Sequence, residues 1–496
     1  FISSLYFCSL GALSNKFIYR INKIDNVLEY CFLGIFSLSF LALFSNFFIS
    51  LNIYFNSIIF VLSIFYLFFL EKKLIIKLLN YSLIISLISL LTIVLDYTNR
   101  PDSGLYHLPY TSLLNEHKII IGVANLNERF GIISIIQYLS AANYNFLFSE
   151  NGILIPLVVI YSSTLIFFLI NIFDEKKNDI IKILSFLFFI FILTNMNRYS
   201  GFGNDTPAHL YYFILIYYFL EFNSKQLADK GFKLLSIISI YIFLIKPFFI
   251  LMFILPIIFM INNYNYVKIF SITNIFCIFI LTIWIIKNVF ITGCLLYPID
   301  FTCIQNFDWT LNPNLLSVIS EAWTKGWPDR YDKSVNYEDY LKNFYWINTW
   351  INNHLKIILT KLIPFLTILI ILSLVIIFNS NKKKLIVEKK YYQLIIFNFI
   401  LLIIWFFSFP DYRFALGIIG SLISLIFIVI FFNKLDLKNK LFYKFVVFFI
   451  FLSSFGIILK NVDRIYNNYS FEYKDYPWPR KNSHYLTNEK LSNVPV

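Results

Sequence analysis

Apolar positions along this chain come in long blocks, with the polar positions gathered between them. Blocks such as "IIFVLSIFYLFFL" (58–70) and "ILTIWIIKNVF" (280–290) recur from end to end. They lack the strict polar–apolar alternation of a membrane β-barrel. A membrane-crossing helix needs about 20 mostly apolar residues. The blocks predict spans near 1–13, 27–49, 57–70, 76–95, 152–173, 183–196, 206–220, 234–245, 247–261, 269–287, 357–378, 391–408, 413–432 and 445–459. The fold class is therefore an all-α polytopic membrane protein with about 12–14 transmembrane helices. Three parts follow: N-terminal spans 1–95, a second set of spans 96–459 with loops 96–150, 197–206 and 288–356, and a tail 460–496.

Composition and charge sharpen this picture. The chain is 59% hydrophobic and only 14% charged, outside the range of soluble domains. Its 41 Lys and Arg against 28 Asp and Glu give a net charge of +13. A basic balance can mean a nucleic-acid partner, but the positions of the charges argue against one. The loop "SNKFIYRINKID" is cytoplasmic by its basic residues. Alternation then puts 71–77, 174–182, 221–233, 262–268, 381–390 and 433–444 on the same side. With Glu29 counted, these seven loops carry 22 basic and 10 acidic residues, which leaves 19 and 18 elsewhere. The excess lies on one face, as the positive-inside rule requires. Segment 233–261 must cross twice, turning at Lys246-Pro247, or "NKKKLIVEKK" (381–390) would fall outside.

The polar chemistry therefore faces outward. In "DYTNRPDSGLYHLPYTSLLNEHKIIIGVANLNERFG" (96–131), Asp102 or Ser103 starts a short helix bent by Pro109. A second helix from Asn127 has Ile132, Ile135, Ile136 and Leu139 on one stripe and is expected to lie in the membrane interface. Asp102 has two readings, helix cap or general base. Asp96 ends a span as an anchor or a second acid. His107 packs or donates to phosphate. Arg129 pairs with Glu128 or another acid, or clamps an oxyanion.

In "NRYSGFGNDTPAHLYYF" (197–213), Asp205 or Thr206 before Pro207 marks a helix start. Asp205 is a cap or part of an anion site at the helix N-terminus, with His209 as a further donor. Lys246 lies within an apolar run, where an ionisable residue is a functional candidate by default. Arg413 in "FSFPDYRFALG" (407–417) suits bidentate phosphate recognition, and Asp411 is its surface partner. Segment 288–356 holds Trp309, Trp323, Trp327, Trp346 and Trp350, as belt residues or as stacking surfaces for sugar rings. Cys294 and Cys303 share an outer loop and are a candidate disulfide. No phosphate-binding glycine loop, GxSxG nucleophile or metalloprotease helix is present.

An Asp in "DSGLYH", opening an outer loop after early spans, resembles the GT-C class of integral membrane glycosyltransferases. A closer resemblance is to an uncharacterised bacterial branch of that class. It rests on "YHL…GVANLNERFG", "GNDTPAHL", "KNVFITGCLLYP" followed by "DW", and "PDYRFALG", in that order. The resemblance makes Asp102 the base, with Tyr106 as the aromatic of a D-E-x-x-Y-like pattern. Ser103 stands where that pattern has its second acid, and three or four spans precede the loop where the simplest members have one.

The resemblance implies an inverting transferase of the bacterial inner membrane, with its site on the periplasmic or outer side. A sugar would pass from a polyprenyl-phosphate donor to a cell-envelope glycan or lipid. Asp102 would be the base, with Asp205 and Asp96 as second candidates. His107, Arg129, Lys246, Arg413, Tyr106 and His209 would contact substrate. No cofactor is expected, and a divalent metal is left open. The alternatives are a lipid-linked polysaccharide polymerase and a non-enzymatic transporter or flippase.

Overall fold

The computed structural model describes residues 1–21, 24, 26–92, 94–95, 102–196, 198–199, 204–222, 227–312, 314–326, 336–379, 386–435 and 440–468. Each of the fourteen apolar blocks is helical. They form α1 (Ile2–Ser14), α2 (Leu28–Asn46), α3 (Ile53–Phe65), α4 (Lys72–Thr92), α7 (Ile155–Phe173), α8 (Asp179–Asn195), α9 (Asp205–Glu221), α10 (Ala228–Ile245), α11 (Ile254–Asn262), α12 (Ile272–Thr292), α16 (Lys356–Asn379), α17 (Lys389–Ser408), α18 (Tyr412–Phe431) and α19 (Lys440–Asn468). Between them lie α5 (Leu108–Glu116), α6 (Ile135–Ala142), α13 (Asn314–Thr324), α14 (Tyr337–Leu341) and α15 (Trp346–Trp350). Among the described residues, eight helices are long and apolar enough to cross a membrane. The protein is an all-α polytopic membrane protein. A two-residue parallel pair, β1 (Val94–Leu95) with β2 (Arg198–Tyr199), joins the starts of two loops.

Helix starts follow local chemistry. Asn52, Asn178 and Ser271 accept backbone N–H bonds at the starts of α3, α8 and α12, satisfying donors that have no partner inside the helix. Gly293 ends α12 at φ +78°, a left-handed conformation that favours glycine.

The helix pair α1–α2 shows why small residues matter inside a membrane, where close backbone approach drives packing. A Cβ on Gly34 would collide with the Phe7 carbonyl, and one on Gly11 with that of Tyr30. Gly34→Ala is expected to separate the two helices and cost at least about 1–3 kcal/mol, the range for overpacking. Thermal unfolding in detergent checks this, and an unchanged midpoint would contradict the contact.

The loops sort to two ends. At the lysine-rich end, Lys177 pairs with Glu221 at 2.6 Å and Lys230 with Glu29 at 3.0 Å. There too Lys390 Nζ donates to the Leu220 carbonyl at 3.1 Å, and the Lys268 amide to Asp229 at 3.0 Å. These contacts join loops that the charge pattern assigns to one side. At the other end α10 stops at Lys246, and the chain turns back through a 3-10 segment (Pro247–Phe253) packed on α10. The chain thus reverses at Lys246-Pro247, the turn expected within 233–261.

Three expectations need correction. α6 begins at Ile135, not Asn127. Asn127 instead caps a 3-10 turn (Glu128–Ile132), and a capping box on Ser134 starts α6. All eight residues of α6 are buried, so it is a covered helix against α2 and α5, not one lying in an interface. Pro109 stands in the first turn of α5, directly after a π-helical turn (Ser103–His107) that begins where the short helix was expected to start. The last helix runs on to Asn468, so the first residues of the supposed tail, from Lys460, are helical. Asp96, Gly201, Gly203, Trp327 and 469–496 lie outside the described residues.

Candidate active site

The four sequence runs that carry the resemblance meet at the end opposite the lysine-rich loops. The Gly122 amide donates to the Phe290 carbonyl at 2.8 Å, and Asn125 Nδ2 to the Trp309 carbonyl at 2.9 Å. Trp309 Nε1 donates to the Val289 carbonyl at 2.9 Å. Gly131 lies against the Tyr297 ring and Gly417 against the His209 ring, each too close for a Cβ. Runs distant in sequence thus form one polar assembly.

Among the described residues, three carboxylates and three cations stand at its centre. Asp205 opens α9 and pairs with Lys246 at 2.5 Å. Asp411 accepts from the Arg413 amide at 2.9 Å, capping α18, and binds the Arg413 guanidinium at 3.1 Å. Asp102 lies 3.7 Å from Arg129 Nη1, the longest of the three pairings among the described residues. Their side chains are 25%, 13% and 42% exposed, so Asp102 is both the most open acid and the most loosely held. The three pairs are near neighbours: the charges of Asp411, Asp205 and Asp102 all act on Arg413.

The pairings decide between readings left open by sequence. Asp205 is not a side-chain cap, because Asn204 precedes the helix without a side-chain cap bond and the Asp205 carboxylate turns to Lys246. Arg129 pairs with Asp102 rather than with Glu128. Lys246 also lies over the Phe414 ring, 3.1 Å from its centre, so α18 helps hold it.

His107 has a defined tautomer. Gln137 Oε1 accepts from the Ser134 amide at 3.1 Å, and its Nε2 donates to Asn204 Oδ1 at 3.2 Å. That nitrogen also faces His107 Nδ1 at 2.9 Å, so Nδ1 accepts and the ring proton sits on Nε2. Gln137 thereby ties the first polar loop to the second. Burial pushes the His107 pKa down to about 4, against a smaller upward pull from Asp102 and Asp205. The ring is therefore a neutral donor near pH 7.

A stability effect follows. Unfolded, His107 takes its proton near pH 6.5; folded, it does so near 4. Its contribution is complete above about pH 6.5 and is lost as pH falls toward 4, about 3 kcal/mol in all. His107→Gln is expected to flatten this acid limb in unfolding measured against pH. Equal limbs in both proteins would show that the buried ring protonates freely.

Tyr106 packs against His107 with the rings tilted and their centres 4.1 Å apart, and the Arg129 guanidinium lies 5.6 Å from the centre of its ring. Burial, with Asp102 and Asp205 nearby, raises its pKa and keeps it a phenol. His209 is buried, and its Nε2 meets the Arg413 carbonyl at 2.7 Å. It therefore holds the start of α18 instead of offering that proton to substrate.

Sequence reasoning missed several supports. Trp350 Nε1 donates to the Pro410 carbonyl at 2.7 Å, and Trp405 Nε1 to the Asp411 carbonyl at 2.8 Å. Two indoles thus clamp the turn that carries Arg413. Of the segment's described tryptophans, Trp346 and Trp350 are buried, Trp323 is exposed and Trp309 is half-buried in a stack with Phe307. Lys287 in "KNVF" is buried with its Nζ 3.8 Å above the Trp284 ring. Cys294 and Cys303 form a disulfide. Among the described residues, no group of three or more His, Cys, Asp or Glu is arranged to hold a metal ion.

A family model described as a domain of unknown function (DUF8201) matches residues 1–420. The chain belongs to that family. The match takes in all four runs of the assembly and the early spans α1–α4. The early spans pack on the rest: α2 lies against α6 and α7, and Ser39 Oγ bonds the Tyr241 hydroxyl of α10 at 2.8 Å. No curated protein and no solved structure matches the chain.

Proposed function

We propose that this protein is a membrane glycosyltransferase that moves a sugar from a polyprenyl-phosphate donor to a cell-envelope glycan or lipid. The lysine-rich end faces the cytoplasm by the positive-inside rule, so the polar end faces outward from the bacterial inner membrane. One observation carries the reading. Of three carboxylates among three cations at the end of a membrane bundle, Asp205 and Asp411 are tightly paired, while Asp102 is 42% exposed and loosely held. Such a carboxylate is placed to accept a proton, beside cations placed to hold an anionic leaving group.

In this reading the donor enters sideways from the lipid and its phosphate meets Arg413, Lys246 and Arg129, with His107 Nε2–H as a neutral donor. Asp102 takes the proton of the acceptor hydroxyl. That oxygen bonds to the anomeric carbon from the opposite side, the bond from carbon to phosphate oxygen breaks, and polyprenyl phosphate leaves as an anion. Configuration is inverted. The leaving phosphate needs no proton, so no general acid is required.

The anion site is tested by binding of labelled polyprenyl phosphate to the protein in nanodiscs. A charge-assisted hydrogen bond is worth about 1.5–3 kcal/mol, so Arg413→Ala is expected to weaken binding about 10–100-fold. Equal binding by both proteins would remove the phosphate from this site.

A further inference from the structure

The loop that follows α12 has a surface which the transfer chemistry does not use. It is closed by the Cys294–Cys303 disulfide and braced by backbone bonds from Leu295 N to Thr302 O at 3.0 Å and from Ile304 N to Gly293 O at 2.9 Å. The Thr302 hydroxyl adds a bond to the Ile299 carbonyl at 2.7 Å. On this braced frame Phe301 is 90% exposed, and Leu295, Ile299 and Ile304 are exposed with it. The neighbouring turn, fastened by Gly122 to Phe290 and by Asn125 to Trp309, adds exposed Ile121 and Leu126.

Several exposed apolar side chains held on a braced loop mark a contact. Its position says with what. α12 is long and apolar enough to cross a membrane, and its exposed residues include Ile275, Ile278, Phe279 and Ile286. The loop leaves the end of that lipid-facing helix directly. Bracing fixes the apolar tip in advance, so less order has to be imposed when it enters another phase. A large aromatic at the end of a membrane helix also suits the boundary between headgroups and acyl chains.

We propose that the disulfide-closed loop 294–303 is a wedge that inserts Phe301 into the leaflet at the polar end of the bundle, its partner being the bulk lipid of the bilayer. The wedge is joined to the candidate site, because Tyr297 of the same loop lies against Gly131, two residues from Arg129. Its depth would fix the height of Asp102 and Arg129 relative to the headgroups. The proposal does not depend on the transferase reading.

The test is a photocrosslink. The full chain carries p-benzoylphenylalanine in place of Phe301, in nanodiscs of phosphatidylethanolamine and phosphatidylglycerol without polyprenyl phosphate, and adducts are identified by mass. Phospholipid adducts are expected, several-fold more than with the same probe at exposed, polar Asn306. A parallel protein with the probe at Leu126 covers the case where the Phe301 variant does not fold, and lipid adducts are expected there too. Replacing both loop cysteines by Ser is expected to lower the yield at Phe301. Adducts to a second copy of the chain, or lipid yields no greater than at Asn306, would overturn the proposal. An unchanged yield without the disulfide would overturn the role of the clamp.

Discussion

Asp102→Asn is expected to stop sugar transfer while the protein stays folded. Loss of a general base costs about 10²–10⁴-fold. The same change removes only a half-exposed contact of 3.7 Å, and surface pairs are worth at most about 1 kcal/mol. Activity and stability should therefore separate: transfer falls to background and the unfolding midpoint hardly moves. Asp205→Asn should behave in the opposite way, losing stability first, because its carboxylate is the partner of Lys246. If Asp205→Asn lost transfer at full stability and Asp102→Asn kept it, the base would lie on α9.

The second large effect is expected at that pair. Lys246→Met leaves the Asp205 carboxylate, 25% exposed, without its counter-charge. Breaking a buried pair costs roughly 3–5 kcal/mol, and partial exposure puts this one near the low end. Replacing both, Asp205→Leu with Lys246→Met, should recover most of the loss, since no charge is stranded. A double-mutant cycle on thermal unfolding in detergent measures the coupling. Additive losses would mean that the two groups do not support one another. Donor binding should stay weak in the double variant, because it would still lack the cation.

The sequence made the membrane architecture legible because apolar length and lysine placement are each dictated by the bilayer. All fourteen blocks are helices, and contacts of Lys177, Lys230, Lys268 and Lys390 join their loops at one end. The site was legible as a set of residues, but not as a geometry. Nothing in "NDTPAH" shows whether Asp205 caps its own helix or reaches Lys246, 41 positions away, since the local bond competes with a distant partner that the run does not contain. α6 was misread because a stripe of Ile and Leu looks the same whether its polar face meets water or other helices. Here Gln137, on that face, bonds His107 and Asn204. The indole clamps from Trp350 and Trp405 gave no signal, because an aromatic near a membrane end is usually explained by the interface alone.

The most direct measurement of the central claim is transfer of radiolabelled sugar from a panel of polyprenyl-phosphate donors to cell-surface glycan, in membranes carrying the wild type, Asp102→Asn or Asp205→Asn. The account predicts label in the glycan with the wild type, none with Asp102→Asn at full folding, and a loss with Asp205→Asn that follows its lower stability. It is contradicted if all three proteins behave alike while glycan chain length or export changes, the behaviour of a polymerase or a transporter.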